Sequence, residues 1–159
     1  MKKRDNKKSA AMPKSDNDEM QFYIEMASDR TDYKKRIEAI DYFANHKCEE
    51  STTMLYHLMI HDLVRDVQEK AFRTLQSFGK KVKLPRKKEG NIIRDIRHQA
   101  LVTHNSFNGK EYTNDELLQR FKYKYPEVYD VYLYEKGSDN NVLTFLRGII
   151  ACLPKDKKK

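Results

Sequence analysis

Two segments of this chain repeat one pattern at a fixed offset. Residues 23–29 read Tyr-Ile-Glu-Met-Ala-Ser-Asp and residues 56–62 read Tyr-His-Leu-Met-Ile-His-Asp, so Tyr, Met and Asp recur 33 residues apart. Further on, residues 36–43 match 68–75, one residue out of step. Self-similarity with a period of about 20–50 residues is typical of stacked helical repeats. Such arrays usually present binding surfaces, so the pattern favours binding over catalysis.

Apolar residues in this half recur at the i, i+3 and i+4 spacing of amphipathic helices. The four predicted stripes are Phe22, Tyr23, Met26 and Ala27; Tyr33, Ile37, Ile40 and Phe43; Met54, Leu55, Leu58 and Met59; and Leu63, Val67, Ala71, Leu75 and Phe78. Ser51 is a plausible N-cap for the third helix, Asp62 ends it, and Gly79 suits a C-terminal cap of the fourth. Short connections predict two antiparallel helical hairpins.

The second hairpin carries a family pattern. Its residues fit a first helix, a turn with Asp, and a second helix of the form Val-Arg-x-x-Ala-x-x-x-Leu-x-x-x-Gly: Leu55, Leu58, Met59, Asp62, Val67, Ala71, Leu75 and Gly79. Over residues 20–80 the chain resembles HEAT-type helical repeats, although Gln68 stands where the family has Arg. The resemblance implies a short α-solenoid with a binding groove. Because two repeats rarely suffice alone, we expect another element to cover their exposed face.

Residues 81–90 form a basic connector, which we take as the boundary between the repeats and a C-terminal subdomain at 91–154. That subdomain is predicted to be helical over 91–104, from the capping box of Thr113 and Glu116, and again before Pro154. Residues 121–125 could be helical or extended. The segments 1–18 and 155–159 are too polar to bury a core, so we predict a disordered tail and a basic tail. The fold class is therefore predicted to be all-α.

The charge of the chain points to acidic partners. Its formal net charge is +8 and its pI is about 9.3, which favours nucleic acid or an anionic surface. No apolar run approaches the roughly 18 residues of a membrane span, so no membrane partner is predicted. Two distant cysteines and a basic start without an apolar stretch favour a reducing, cytoplasmic setting.

The basic connector and its neighbours are the predicted nucleic-acid contacts, because lysines and arginines can neutralise phosphates. The candidate residues are Lys80, Lys81, Lys83, Arg86, Lys87 and Lys88, extended by Lys34, Lys35, Arg36, Arg94 and Arg97. The alternative is a solvated linker that only keeps the protein soluble. The tyrosine-rich segment 123–134 could also stack on bases, or about half of it could be core.

No catalytic or cofactor site is recognisable. His57 and His61 have metal-ligand spacing, with His46 and Cys48 as further candidates, but no tight ligand pair accompanies them. A Gly-rich phosphate loop and a nucleophile elbow are missing from the sequence. Residues 91–154 also follow the element order of a helix-turn-helix unit, but the candidate second helix is acidic rather than basic.

Three functions remain open. The leading hypothesis is a non-enzymatic interaction module whose basic surface engages nucleic acid. The second is an adaptor that holds a protein partner in the repeat groove. The third follows from analogy with DNA-alkylation glycosylases of HEAT-like fold; those commonly use Trp in a basic groove, and this chain has no Trp. No cofactor is predicted, and the oligomeric state stays open.

Overall fold

The computed structural model describes residues 15–152 and is all-helical over that range. It contains eight α-helices: α1 (Asp16–Ser28), α2 (Tyr33–Asn45), α3 (Glu49–His61), α4 (Arg65–Ser77), α5 (Ile96–Asn105), α6 (Asn114–Lys124), α7 (Pro126–Lys136) and α8 (Asp139–Ala151). The all-α prediction is confirmed, and neighbouring helices pack as in a short helical solenoid. Of the predicted tails, residues 1–14 and 155–159 lie outside the described range, as does Pro154, while 16–18 already belong to α1.

Helices α1 to α4 form two hairpins that share one core. α1 packs on α2, α3 packs on α4, and α2 also packs on α4. Fully buried side chains include Ile40, Phe43, Leu55 and Leu75. Ala39 and Ala71, which occupy matching positions in the two sequence copies, are both completely buried. The repeated stripes therefore face the same interior.

Local capping explains where α3 and α4 begin and end. The predicted N-cap Ser51 lies one turn inside α3; Cys48 is the N-cap, and the two exchange reciprocal hydrogen bonds. Gly79 follows α4 with φ +81°, a conformation that favours glycine. Its N–H donates to the Gln76 carbonyl and the next N–H, of Lys80, donates to the Leu75 carbonyl. This pair of bonds is a Schellman motif, as the sequence predicted for a C-terminal glycine.

Helices α5 to α8 build a second core around Ile96, Leu117, Phe121 and Leu146. The capping box is confirmed: Thr113 N–H donates to Glu116 Oε2 (2.7 Å) and Glu116 N–H donates to Thr113 Oγ1 (3.2 Å). Residues 121–124 continue α6, so the extended alternative is wrong there, and Pro126 starts α7 where its missing N–H costs nothing. The predicted helix 91–104 begins only at Ile96, because residues 91–95 are held in turns between the two cores.

One buried ionic network joins the two halves. Arg36 of α2 binds Asp62, at the end of α3, through Nε (2.7 Å) and Nη2 (3.2 Å). It also binds Asp130 of α7 (3.2 Å), whose other oxygen accepts the Tyr33 N–H (2.9 Å). The three ionic side chains are 3–6% exposed. The C-terminal subdomain therefore covers part of the repeat surface. This agrees with the expectation that another element covers the exposed face of the two repeats.

The charge balance of this network makes stability depend on pH. One guanidinium faces two carboxylates, and burial raises the pKa of Asp130 above its ordinary 3.8 despite the contact with Arg36. In the window between the ordinary and the raised value, the folded chain keeps a proton that the unfolded chain has released. The contribution of Asp130 to stability therefore falls as pH rises through that window.

The Asp130→Asn variant lacks this titration. Urea unfolding of the wild type and of the variant across about pH 4–7 therefore isolates the contribution of Asp130 to stability. We expect the unfolding free energy of the wild type, minus that of the variant, to decrease as pH rises. A difference that increases with pH would mean that Arg36 lowers the pKa of Asp130 instead.

Candidate nucleic-acid interface

The basic connector is attached to the repeats along its first half. Val82 and Leu84 are half-buried against the first core, whereas Lys81 and Lys83 between them are exposed. This alternation is that of an extended chain with one face inward. Arg65 of α4 adds a hydrogen bond from Nη1 to the Pro85 carbonyl (2.7 Å). The connector is therefore attached to the first core over residues 82–85.

The predicted connector cations all face solvent. The exposed set is Lys80, Lys81, Lys83, Arg86, Lys87 and Lys88, followed by Arg94 and Arg97 around the start of α5. Within residues 15–152, none of these eight is in an ion pair. Over residues 80–97 the only acidic residues are Glu89 and Asp95. Residues 80–97 thus carry eight cations against two carboxylates, a net charge of +6 in one continuous segment whose cations are exposed.

The three cations predicted on α2 have different environments in the structure. Lys34 is exposed, and Lys35 pairs with Asp29 (3.2 Å) at the surface. Arg36 is only 3% exposed and its guanidinium is occupied by Asp62 and Asp130. The structure therefore contradicts the prediction that Arg36 belongs to the contact surface, because the residue is buried and four of its five N–H donors are already bound inside the protein.

A pocket of about 200 Å³ opens beside the connector. One wall is the connector itself, from Pro85 to Lys88, and the other includes Ile60, Leu63 and Ile92. We call it the connector pocket. Ile60 is 50% exposed and Leu63 is 39% exposed, and no other large aliphatic side chain of residues 15–152 is exposed to this extent. The predicted stripe of α4 contains Leu63, so its exposure differs from the prediction, whereas Ile60 lies outside the predicted stripe of α3.

A second pocket, of about 280 Å³, lies between the two halves of the protein. It shares His61, Asp62 and Leu63 with the connector pocket and is closed on the far side by Val128 and Val131 of α7. Arg36 forms part of its lining, so the buried network reaches the wall of this cavity. The turn between α3 and α4 therefore borders both pockets.

The tyrosine-rich segment divides between interior and surface. Tyr132 is buried, whereas Tyr123 on α6 is 88% exposed. The Tyr134 hydroxyl donates to Asp66 of α4 (2.6 Å), and burial together with this bond raises the pKa of Tyr134 to about 12. Tyr134 thus ties α7 to the repeats, and of the tyrosines in this segment only Tyr123 is exposed.

The histidines and Cys48 do not converge on one point. His57 and His61 are neighbours, with ring centroids 5.0 Å apart. His46 instead stacks on Tyr42 (3.9 Å) and Cys48 caps α3. Across the described residues, no three His, Cys, Asp or Glu side chains are grouped as metal ligands would be. None of the helices in that range has the length and apolar character needed to cross a bilayer.

Comparison with protein-family models, with curated proteins and with solved structures found no match to this chain. The architecture and the surface chemistry are therefore the basis for a functional proposal.

Proposed function

We propose that this protein is a non-enzymatic binding module of HEAT-like repeats whose basic connector holds nucleic acid by its phosphates. The observation that carries the proposal is the outward row of connector cations. They are exposed and lie outside every ion pair of the described residues. If the connector cations served only to form ion pairs within the protein, they would not lie side by side at the surface without acidic partners.

The attachment of the connector supports phosphate binding over a solvated linker. Val82, Leu84 and the bond from Arg65 to the Pro85 carbonyl restrict the backbone before any ligand arrives. Binding then costs less conformational entropy than it would for a disordered basic tail. Lys34 and the pair Arg94 and Arg97 extend the set of cations beyond the connector. The cytoplasmic setting predicted from sequence belongs to this proposal as well.

The proposal is tested by fluorescence anisotropy of labelled DNA and RNA, single-stranded and duplex, over a salt series. If several phosphates are neutralised, affinity should fall about a hundredfold or more between about 50 and 200 mM salt. Binding should be micromolar or tighter near physiological salt. Absence of binding at low salt, or binding that ignores salt, would contradict the proposal and favour a protein partner.

A further inference from the structure

The connector pocket places apolar surface directly beside phosphate-binding cations. Ile60, Leu63 and Ile92 line it together with Arg86, Lys87 and Lys88. Among the described residues, three large hydrophobic side chains are classed as exposed, and two of them, Ile60 and Leu63, are here. A ligand that is both anionic and apolar would satisfy the whole pocket, whereas a simple anion would leave the aliphatic wall in water.

We propose that the connector pocket receives an unpaired base, so that the ligand is single-stranded nucleic acid. This inference rests on the proposed function and narrows its ligand class. The connector cations would hold the phosphates while a neighbouring base packs on Ile60 and Leu63. A duplex keeps its bases stacked inside and offers the same cations only its phosphates, so it cannot use the apolar wall.

The size of the pocket agrees with a single ring system. Its volume of about 200 Å³ lies below the roughly 300–1,000 Å³ of sites for drug-sized ligands. An unstacked base presents a flat apolar face and a polar edge, and recognition of single strands depends on both. The pocket offers aliphatic side chains to the face of a base and polar side chains to its edge.

Polar groups on the wall can meet the edge of a base. Gln68 accepts a hydrogen bond from Arg65 Nη1 (3.2 Å) through Oε1, which leaves its amide N–H groups as donors. His61 is exposed and can donate or accept. Of the two carboxylates in the lining, Asp62 is already bound to Arg36, which leaves Glu135 alone against Arg86, Lys87 and Lys88. The positive charge needed for a polyanion therefore dominates the rim.

The test compares a labelled single strand with a hairpin duplex of the same composition. The double variant Ile60→Ser with Leu63→Ser removes two of the three aliphatic side chains of the wall and changes no charge. Both side chains are partly exposed, so the fold should persist; circular dichroism checks this. The matched control is Tyr123→Ser, which removes the third exposed hydrophobic, on α6, away from the pocket.

We expect the wild type to bind the single strand about tenfold more tightly than the duplex. The double variant should lose most of that preference, with duplex affinity and salt dependence unchanged, and Tyr123→Ser should change neither. Equal binding of both ligands, or a double variant that binds like the wild type, would overturn the inference and leave the proposed function standing. Absence of salt-dependent binding to either ligand would overturn both.

An acidic protein segment is the competing occupant, and a peptide of alternating Glu and Leu serves as its probe. We expect it to displace the strand only weakly at equal charge concentration. If it displaces the labelled strand better than unlabelled strand does, and this requires Ile60 and Leu63, the pocket binds acidic apolar protein segments and the inference is overturned.

Discussion

Arg36→Ala should destabilise the protein by about 3–5 kcal/mol, because it leaves two buried carboxylates without their cation. Asp62 and Asp130 are 6% and 3% exposed, so both carboxylates would stay largely shielded from water after the guanidinium is lost. Arg36 also donates to the Asp29 carbonyl (2.8 Å), which would lose a partner too. Chemical denaturation at neutral pH measures the effect as a lower midpoint with a similar slope.

The neighbouring residue provides a matched control. Lys35 carries the same charge one position earlier, but its side chain is 52% exposed and its pair with Asp29 is at the surface. Lys35→Ala should therefore change stability by less than about 1 kcal/mol. If the two variants were equally stable, the interior pairing of Arg36 would not contribute as described. Arg36→Lys should be intermediate, because an ammonium group cannot reproduce the planar, bidentate contact with Asp62.

Lys87→Glu combined with Lys88→Glu should weaken nucleic-acid binding about tenfold or more at low salt, because two phosphate contacts become repulsions. Both residues are exposed and line the connector pocket. The dependence of log affinity on log salt should also become shallower, by about 0.7 for each lost contact to a single strand. Anisotropy over the same salt series measures both quantities, and thermal unfolding should be nearly unchanged.

A second charge reversal separates local contacts from overall charge. Lys110→Glu with Lys124→Glu changes the net charge by the same amount at exposed positions of the α5–α6 loop and of α6. Like the connector lysines, neither forms an ion pair within the described residues. The Lys110→Glu, Lys124→Glu variant should reduce affinity far less than the Lys87→Glu, Lys88→Glu variant. Equal losses would show that binding follows net charge and has no defined site.

The sequence predicted best what depends on local periodicity. The stripes of α1 to α4 apart from Leu63, the Thr113 capping box and the Gly79 cap are set by neighbours within a few residues, and the structure has them. The interior position of Arg36 depends on Asp130, 94 residues away, which no local pattern reveals. A charged residue between exposed lysines looks like part of the same surface until its distant partner is known.

The candidate site was predictable in its charge and not in its shape. The run of connector cations is visible in the sequence, but their outward orientation follows from the contacts of Val82 and Leu84 with the first core. The connector pocket needs α3, α4 and the connector side by side, so neither Ile60 nor Leu63 could be assigned to it in advance. Periodicity describes one helix at a time, and a pocket is a property of several.

Helix α7 contributes Val131 to the first core, and this affects where the chain can be cut into stable fragments. Residues 15–79 contain the whole repeat pattern, and the connector after them looks like a natural place to cut. A fragment ending there would lack Asp130, Val131 and Tyr134, which supply a counter-charge, a core side chain and a tether to α4. We therefore expect that a stable fragment must extend beyond the repeat pattern as far as α7, because the packing contacts of the repeats continue past the end of that pattern in the sequence.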